Sequence, residues 1–149
     1  MKLSIGENQI AFELNRTLLV SKLIEGHYPN YRQVIPSEAK ERIRLERETF
    51  LTAVRRVSLL AGEKSVKLIF TKGNIDIVAN TPEVGEAKES LPVMYNGREF
   101  AIAFNPEFLM APLRNLSEEE IYLDLIDELS PGVIKIAGPF LYVLMPVRL

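Results

Sequence analysis

The chain has 149 residues, 47% of them apolar, enough to bury one substantial core with some remainder. Its 18 basic residues against 20 acidic ones exclude an overall positive field for holding nucleic acid, though not a local basic face. The absence of cysteine excludes disulfides and thiolate chemistry, and with no bilayer-length apolar run and no signal-peptide stretch after Met1, a cytoplasmic protein with no membrane partner is expected.

Residues 3–24 alternate in hydropathy between turn residues. Leu3-Ser4-Ile5, Ile10 to Leu14 and Thr17 to Ile24 are read as strands separated by Gly6-Glu7-Asn8 and Asn15-Arg16. Two or three strands alone are marginally stable, so this piece needs a partner sheet. A connector from Glu25 to Pro36 follows. Two prolines bar a continuous helix, and its tyrosines and aliphatics predict an extended segment that packs against something.

After a strand at Ile43-Arg44-Leu45, a helix is expected from Arg47 to Ala61, ending near Gly62. Phe50, Ala53, Val54, Val57, Leu60 and Ala61 form its apolar stripe. Strands follow at Val66 to Phe70, Ile75 to Ala79 and Glu83 to Val93. Asn96-Gly97 predicts a hairpin from the last of these into Phe100 to Phe104. A second helix begins after Asn105, a good N-cap, with Pro106 at its first position. Pro112 is expected to end or kink it within about two turns. Ile121 to Leu125, Val133 to Ala137 and Phe140 to Leu149 complete the strands.

The order strand, helix, strand, turn, strand thus occurs twice, over Arg42 to Thr81 and Arg98 to Gly138. Phe50-Leu51, Ala53 and Arg56 return as Phe108-Leu109, Ala111 and Arg114. A repeated unit of this size predicts a pseudo-symmetric domain whose halves bury their apolar faces against each other.

Two stretches are specific enough to carry a resemblance. One is the connector, Leu23-Ile24-Glu25-Gly26-His27-Tyr28-Pro29-Asn30-Tyr31-Arg32-Gln33-Val34-Ile35-Pro36. The other is the terminus, Tyr142-Val143-Leu144-Met145-Pro146-Val147-Arg148-Leu149. With them the whole chain resembles the bacterial DNA polymerase III beta subunit, or sliding clamp, although it is much shorter than that family. The resemblance implies an α+β DNA-clamp fold of duplicated β-α-β-β-β units, with antiparallel sheets outside and two helices on the inner face. It implies that residues 1–24 are the last strands of the family's middle domain, 25–38 the interdomain connector and 39–149 the third domain. In the family, two subunits join head to tail in a ring around duplex DNA and tether the polymerase. The ring does no chemistry and holds DNA without base readout. No cofactor is implied.

Three surfaces follow from the resemblance. A peptide cleft for the alpha subunit of the polymerase, the clamp loader and other clamp-motif proteins would use Pro29, Val34, Asn105, Phe108, Val143, Leu144, Met145, Pro146, Val147, Arg148 and Leu149. By pattern alone an apolar last strand is more often ordinary core. Met suits several clients because it repacks around different side chains. The cleft wall that the family draws from the early middle domain is missing from this sequence, so weakened affinity is expected. A DNA-facing helix side would use Arg55, with Arg47, Arg56 and Arg114 toward its edges; the bland alternative is a solvated face diluted by Glu48 and Glu107. Ring closure to a homodimer would use Leu59 and Leu60 with an acidic strip of Glu83, Glu86 and Glu89, which Lys88 interrupts. Charges on an edge strand also serve simply to prevent unwanted pairing. Without a first domain, this chain is expected not to close the two-subunit ring.

Other chemistry finds little support. His27 is the single histidine, so neither a triad nor a His-based metal site is expected. Glu118-Glu119-Glu120 with Asp124 and Asp127 is read as a solvated loop and strand face, and no Gly-rich phosphate loop occurs. The alternative to a ring component is a stand-alone module that binds clamp-motif peptides without encircling DNA.

Overall fold

The structure, a computed structural model, describes residues 1–28, 30–61, 65–81 and 85–148. Its contacts divide the chain into Met1–Tyr31 and Arg32–Leu149. The first unit is an antiparallel meander of β1 (Lys2–Ile5), β2 (Gln9–Leu14) and β3 (Thr17–Lys22). Asn15 takes the left-handed backbone (φ 52°) that the tight turn between β2 and β3 requires. Register sets Leu3, Phe12 and Leu19 side by side, with Ile5 beside Ile10, so one face is apolar. The connector is not simply extended. Tyr31–Gln33 forms a 3-10 turn, and the Tyr28 and Tyr31 rings meet edge to face at 6.5 Å.

The second unit is α+β and does repeat its element order. The first half is β4 (Glu41–Glu46), α1 (Arg47–Ala61), β5 (Val66–Thr71), β6 (Asn74–Thr81) and β7 (Gly85–Pro92). The second is β8 (Phe100–Phe104), α2 (Pro106–Asn115), β9 (Glu120–Leu125), β10 (Gly132–Lys135) and β11 (Leu141–Leu144). The sheets are ordered β11-β10-β9-β4 and β7-β6-β5-β8, all antiparallel. Each sheet therefore takes three strands from one repeat and its fourth, the opening strand, from the other. Neither repeat completes a sheet alone, which ties the halves into one core.

That core lies between the sheets and the two helices, which contact each other. Phe50, Val54 and Val57 of α1 and Leu109, Met110 and Leu113 of α2 are buried against Leu68, Phe70, Ile77, Ile121 and Leu123. Each such side chain contributes about 1.5–3 kcal/mol of transfer free energy. Burial also corrects the register of the repeat. Phe50, Ala53 and Val54 are buried where Leu109, Pro112 and Leu113 are buried, an offset one residue longer than the Phe50/Phe108 match implies. Phe108 thus stands where α1 has Thr49, and the counterpart of Arg114 is Arg55, not Arg56.

Three local expectations fail, and of the end or kink expected at Pro112 the end does not occur. β7 and β8 form no hairpin, since they lie at opposite edges of their sheet. The chain instead crosses under the β5–β6 turn, where Gly73 N–H donates to Tyr95 O at 2.8 Å and Val93 N–H to Gly73 O at 3.0 Å. Gly97 is small for clearance: a Cβ there would lie 2.4 Å from the Tyr95 hydroxyl. Pro112 does not end α2, which runs on to Asn115 and closes with Leu116 N–H donating to Pro112 O. The ring of Pro112 is buried, so packing offsets the missing backbone donor. The last strand stops at Leu144, because Pro146 has no N–H to pair and the tail leaves the sheet. Asp124 is not solvated: it is 3% exposed, held by Arg42 Nε and Nη2 at 2.7 and 2.8 Å and by Lys135 Nζ at 2.9 Å. The expected helix stop at Gly62 and the strand start at Glu83 lie outside the described residues.

Candidate functional site

At the start of α2 the chain turns sharply from strand to helix. Asn105 (φ −64°, ψ 124°) caps the turn, its Oδ1 accepting from Glu107 N at 2.9 Å and Phe108 N at 3.4 Å. Buried Pro106 fixes the first position, and the helical phase then turns Phe108 outward, 62% exposed. A large aromatic left in solvent gains nothing for the fold.

Facing it is β11. Register with β10 turns Tyr142 and Leu144 toward the core and leaves Val143 on the other face. Past Leu144 the tail crosses to the neighbouring sheet, where Val147 N–H donates to Ala103 O at 2.8 Å on the free edge of β8. That crossing holds Met145, 62% exposed, beside the first turn of α2. The result is a cleft of about 520 Å³ lined by Asn105, Phe108, Tyr142, Val143, Leu144, Met145, Pro146 and Val147. Its lining is apolar apart from Asn105 and the Tyr142 hydroxyl. It offers apolar surface with a polar rim, suited to capturing side chains rather than transforming them.

The structure thus brings together seven of the eleven residues expected to form a cleft. It adds Tyr142, which the alternation of the last strand could have signalled. Arg148 is placed otherwise: with Ala101, Ile102, Ala103, Glu128, Leu129 and Val147 it lines an adjoining cleft of about 340 Å³. Val34 is exposed and does not line the groove. Pro29 and Leu149 lie outside the described residues.

The four arginines expected to face DNA differ in what they touch. Arg47 joins the start of α1 to the end of α2, donating to Glu118 O at 2.8 Å and Leu113 O at 2.9 Å, with Glu48 at 3.0 Å. A cation at the last carbonyls of α2 also complements that helix's dipole, so Arg47 is a structural clasp. Arg56 pairs with Glu89 at 3.2 Å and Arg114 with Glu107 at 2.9 Å. Exposed pairs of this kind contribute about 0–1 kcal/mol, little enough for a phosphate to displace. Arg55 is exposed and, among the described residues, its guanidinium has no partner.

The acidic strip is broken by geometry. A spacing of three places Glu86 and Glu89 on opposite faces of a strand. Glu86 is exposed, whereas Glu89 turns toward α1 and Arg56. Lys88 neutralises Asp76 at 2.8 Å, and with Ser90 and Asn74 it holds the Asp76 carboxyl below its ordinary range. Glu83 lies outside the described residues. Leu59 is 84% exposed near the end of α1, with Leu60 half-buried behind it.

Burial opposes the charge of Asp124, but the Arg42 and Lys135 bonds outweigh it and hold that carboxyl, too, below its ordinary value. This is a structural ion cluster. Among the described residues no group of three or more His, Cys, Asp or Glu could hold a metal, and no helix is long and apolar enough to cross a membrane.

Residues 32–148 match the family model for the DNA polymerase III beta subunit, C-terminal domain. The beta sliding clamp of Chlamydia pneumoniae is 37% identical over 147 residues, covering 97% of this chain and 40% of that protein. The clamp of Escherichia coli K12 is 33% identical over 153 residues, covering all of this chain and 42% of that protein. Among solved structures, a Caulobacter crescentus sliding clamp aligns with a TM-score of 0.82 at 32% identity, over 99% of this chain and 40% of that one. A Bartonella birtlesii clamp bound to griselimycin aligns with a TM-score of 0.81 at 33% identity, over 99% of this chain and 41% of that one. The chain thus spans about two-fifths of the length of these relatives.

Proposed function

The chain belongs to the DNA polymerase III beta subunit family through the C-terminal domain matched over residues 32–148, and from that premise we propose that it serves as a peptide-docking part of a DNA sliding clamp. In this reading it is a processivity component and not an enzyme. Residues 1–24 are the closing strands of a middle domain, 25–38 the connector and 39–149 the third domain. Partners of the replication machinery, the polymerase alpha subunit and clamp loader among them, insert short apolar motifs between Phe108 and Met145.

One observation carries the reading: an exposed Phe and an exposed Met line the same preformed apolar groove while the fold gains nothing from either. Burying one Leu or Phe anchor there supplies about 1.5–3 kcal/mol, so two anchors give transient binding. The test is fluorescence polarisation with a labelled pentapeptide ending in Leu-Phe. Met145→Ala, or removal of residues 147–149, should weaken binding; unchanged affinity in both variants refutes the groove.

The same premise extends to DNA and to assembly. We assign the phosphate-facing role to Arg55, with Arg56 and Arg114 recruited from their exposed pairs, and head-to-tail ring contact to Leu59, Leu60 and the β7 edge. The stand-alone peptide-binding module stays in play for one reason: a single unpaired arginine is a thin electrostatic surface for duplex DNA. The full-length protein retained on circular DNA but lost from linear DNA supports a ring; equal loss from both supports the module.

A further inference from the structure

β8 is an edge strand with its ladder only partly used. Its pairing with β5 alternates, and Ala103 C=O points outward to accept from Val147 N–H. Ala101, two residues earlier, turns its N–H and C=O to the same side, as does Ala103 its own N–H. Among the described residues nothing pairs with these three groups. They border the cleft of about 340 Å³ that shares Val147 with the main groove. On its far wall Leu129 is 72% exposed, and Arg148 is exposed without a partner among the described residues. Glu128 is held by Arg98 at 3.1 Å.

We infer that this edge is a second subsite, which takes an extended acidic-aliphatic segment flanking the motif in the main groove. The inference rests on the docking role proposed above. The outward N–H and C=O of Ala101 are matched by another extended backbone, while Ala103 is 2% exposed and its position on the same edge is already occupied by the tail's own Val147. Arg148 selects an acidic side chain because the neighbouring carboxylate is already neutralised. Leu129 covers an aliphatic one. Continuity across Val147 lets one partner chain use both clefts, so the flank sets preference among partners that share the anchor motif.

The test compares the labelled pentapeptide with two longer peptides that carry an alternating Val-Asp stretch before or after the same motif. One of them should bind the full chain about tenfold more tightly, the factor that one or two net hydrogen bonds supply. Ala101→Pro, which removes one outward donor, and Leu129→Glu, which sets a negative charge where the acidic flank would lie, should each abolish that gain while pentapeptide affinity stays at the wild-type value. Leu129 is 72% exposed, so its replacement keeps the test valid even if the proline disturbs the strand. Equal affinity of all three peptides overturns the subsite, as does a gain that survives both variants or is matched by Val-Lys. If the pentapeptide itself fails to bind, the main groove is refuted instead; the subsite then requires that the Val-Asp stretch alone bind and that Ala101→Pro abolish this.

Discussion

The two grooves between a helix and the last strand of its own repeat occupy equivalent places, yet they are furnished differently. Beside α1 the groove is about 210 Å³ and lined by Glu48, Thr49, Thr52, Ala53, Arg56, Glu89 and Leu91. There β7 runs eight residues, and the Arg56–Glu89 pair bridges helix to strand. Beside α2 the groove is about 520 Å³ and apolar, because β11 ends after four residues and the tail departs. Phe108 replaces Thr49, and Met145 takes the place of a paired strand. The framework is symmetric and the candidate site sits where the symmetry breaks, as expected when function is grafted onto a fold.

Core substitutions should ignore this difference. Phe50→Ala in α1 and Leu109→Ala in α2 are both at buried positions, and they should cost about 3–5 and about 2–5 kcal/mol respectively in urea unfolding. A Leu109→Ala cost far below that of Phe50→Ala would mean that α2 is not an equal partner in the core.

The outer faces offer a second comparison. Asp124 is gripped by Arg42 and Lys135, whereas Asp76 has Lys88, Ser90 and Asn74. Both carboxyls titrate below their unfolded value of about 4. The stability they supply is therefore full above that value and is lost as pH falls through the folded ones. Asp124→Asn should cost about 2 kcal/mol near neutral pH and flatten the acid limb of the unfolding curve. Asp76→Asn should do less, because its cations are fewer. An acid limb unchanged in Asp124→Asn would show that the cluster contributes nothing.

The grooves themselves are separated by milder changes. Phe108→Thr, which copies the α1 position, should weaken pentapeptide binding about tenfold and move stability by less than about 0.5 kcal/mol. Thr49→Phe should create no second site. Smallest is Arg55→Ala, which should lower the salt dependence of duplex binding by about one unit of slope, with Arg47→Ala showing mainly as lost stability. A salt slope unaltered by Arg55→Ala removes the DNA-facing assignment.

Much of this was legible in the chain itself. The repeat, both helices and the strand alternation follow from periodicity, and the connector and terminal stretch carried the family resemblance. What was missed depended on tertiary partners. Asn96-Gly97 looks like a hairpin turn, yet its glycine clears Tyr95 and Glu41 during a crossing between sheet edges. The identity of Phe50-Leu51 with Phe108-Leu109 suggested a register that burial shifts by one, and only that shift exposes Phe108 as an anomaly. Arg47 looked like a free cation because its acceptors are carbonyls more than sixty residues away. Asp124 looked solvated because its cations come from two neighbouring strands.

The central claim is tested most directly by a crystal structure of the chain soaked with the Leu-Phe pentapeptide. The peptide's aromatic ring should lie between Phe108 and Met145, with the α1 groove empty. A peptide seated beside Thr49 and Leu91, or an apolar groove left unoccupied at saturating peptide, contradicts the account.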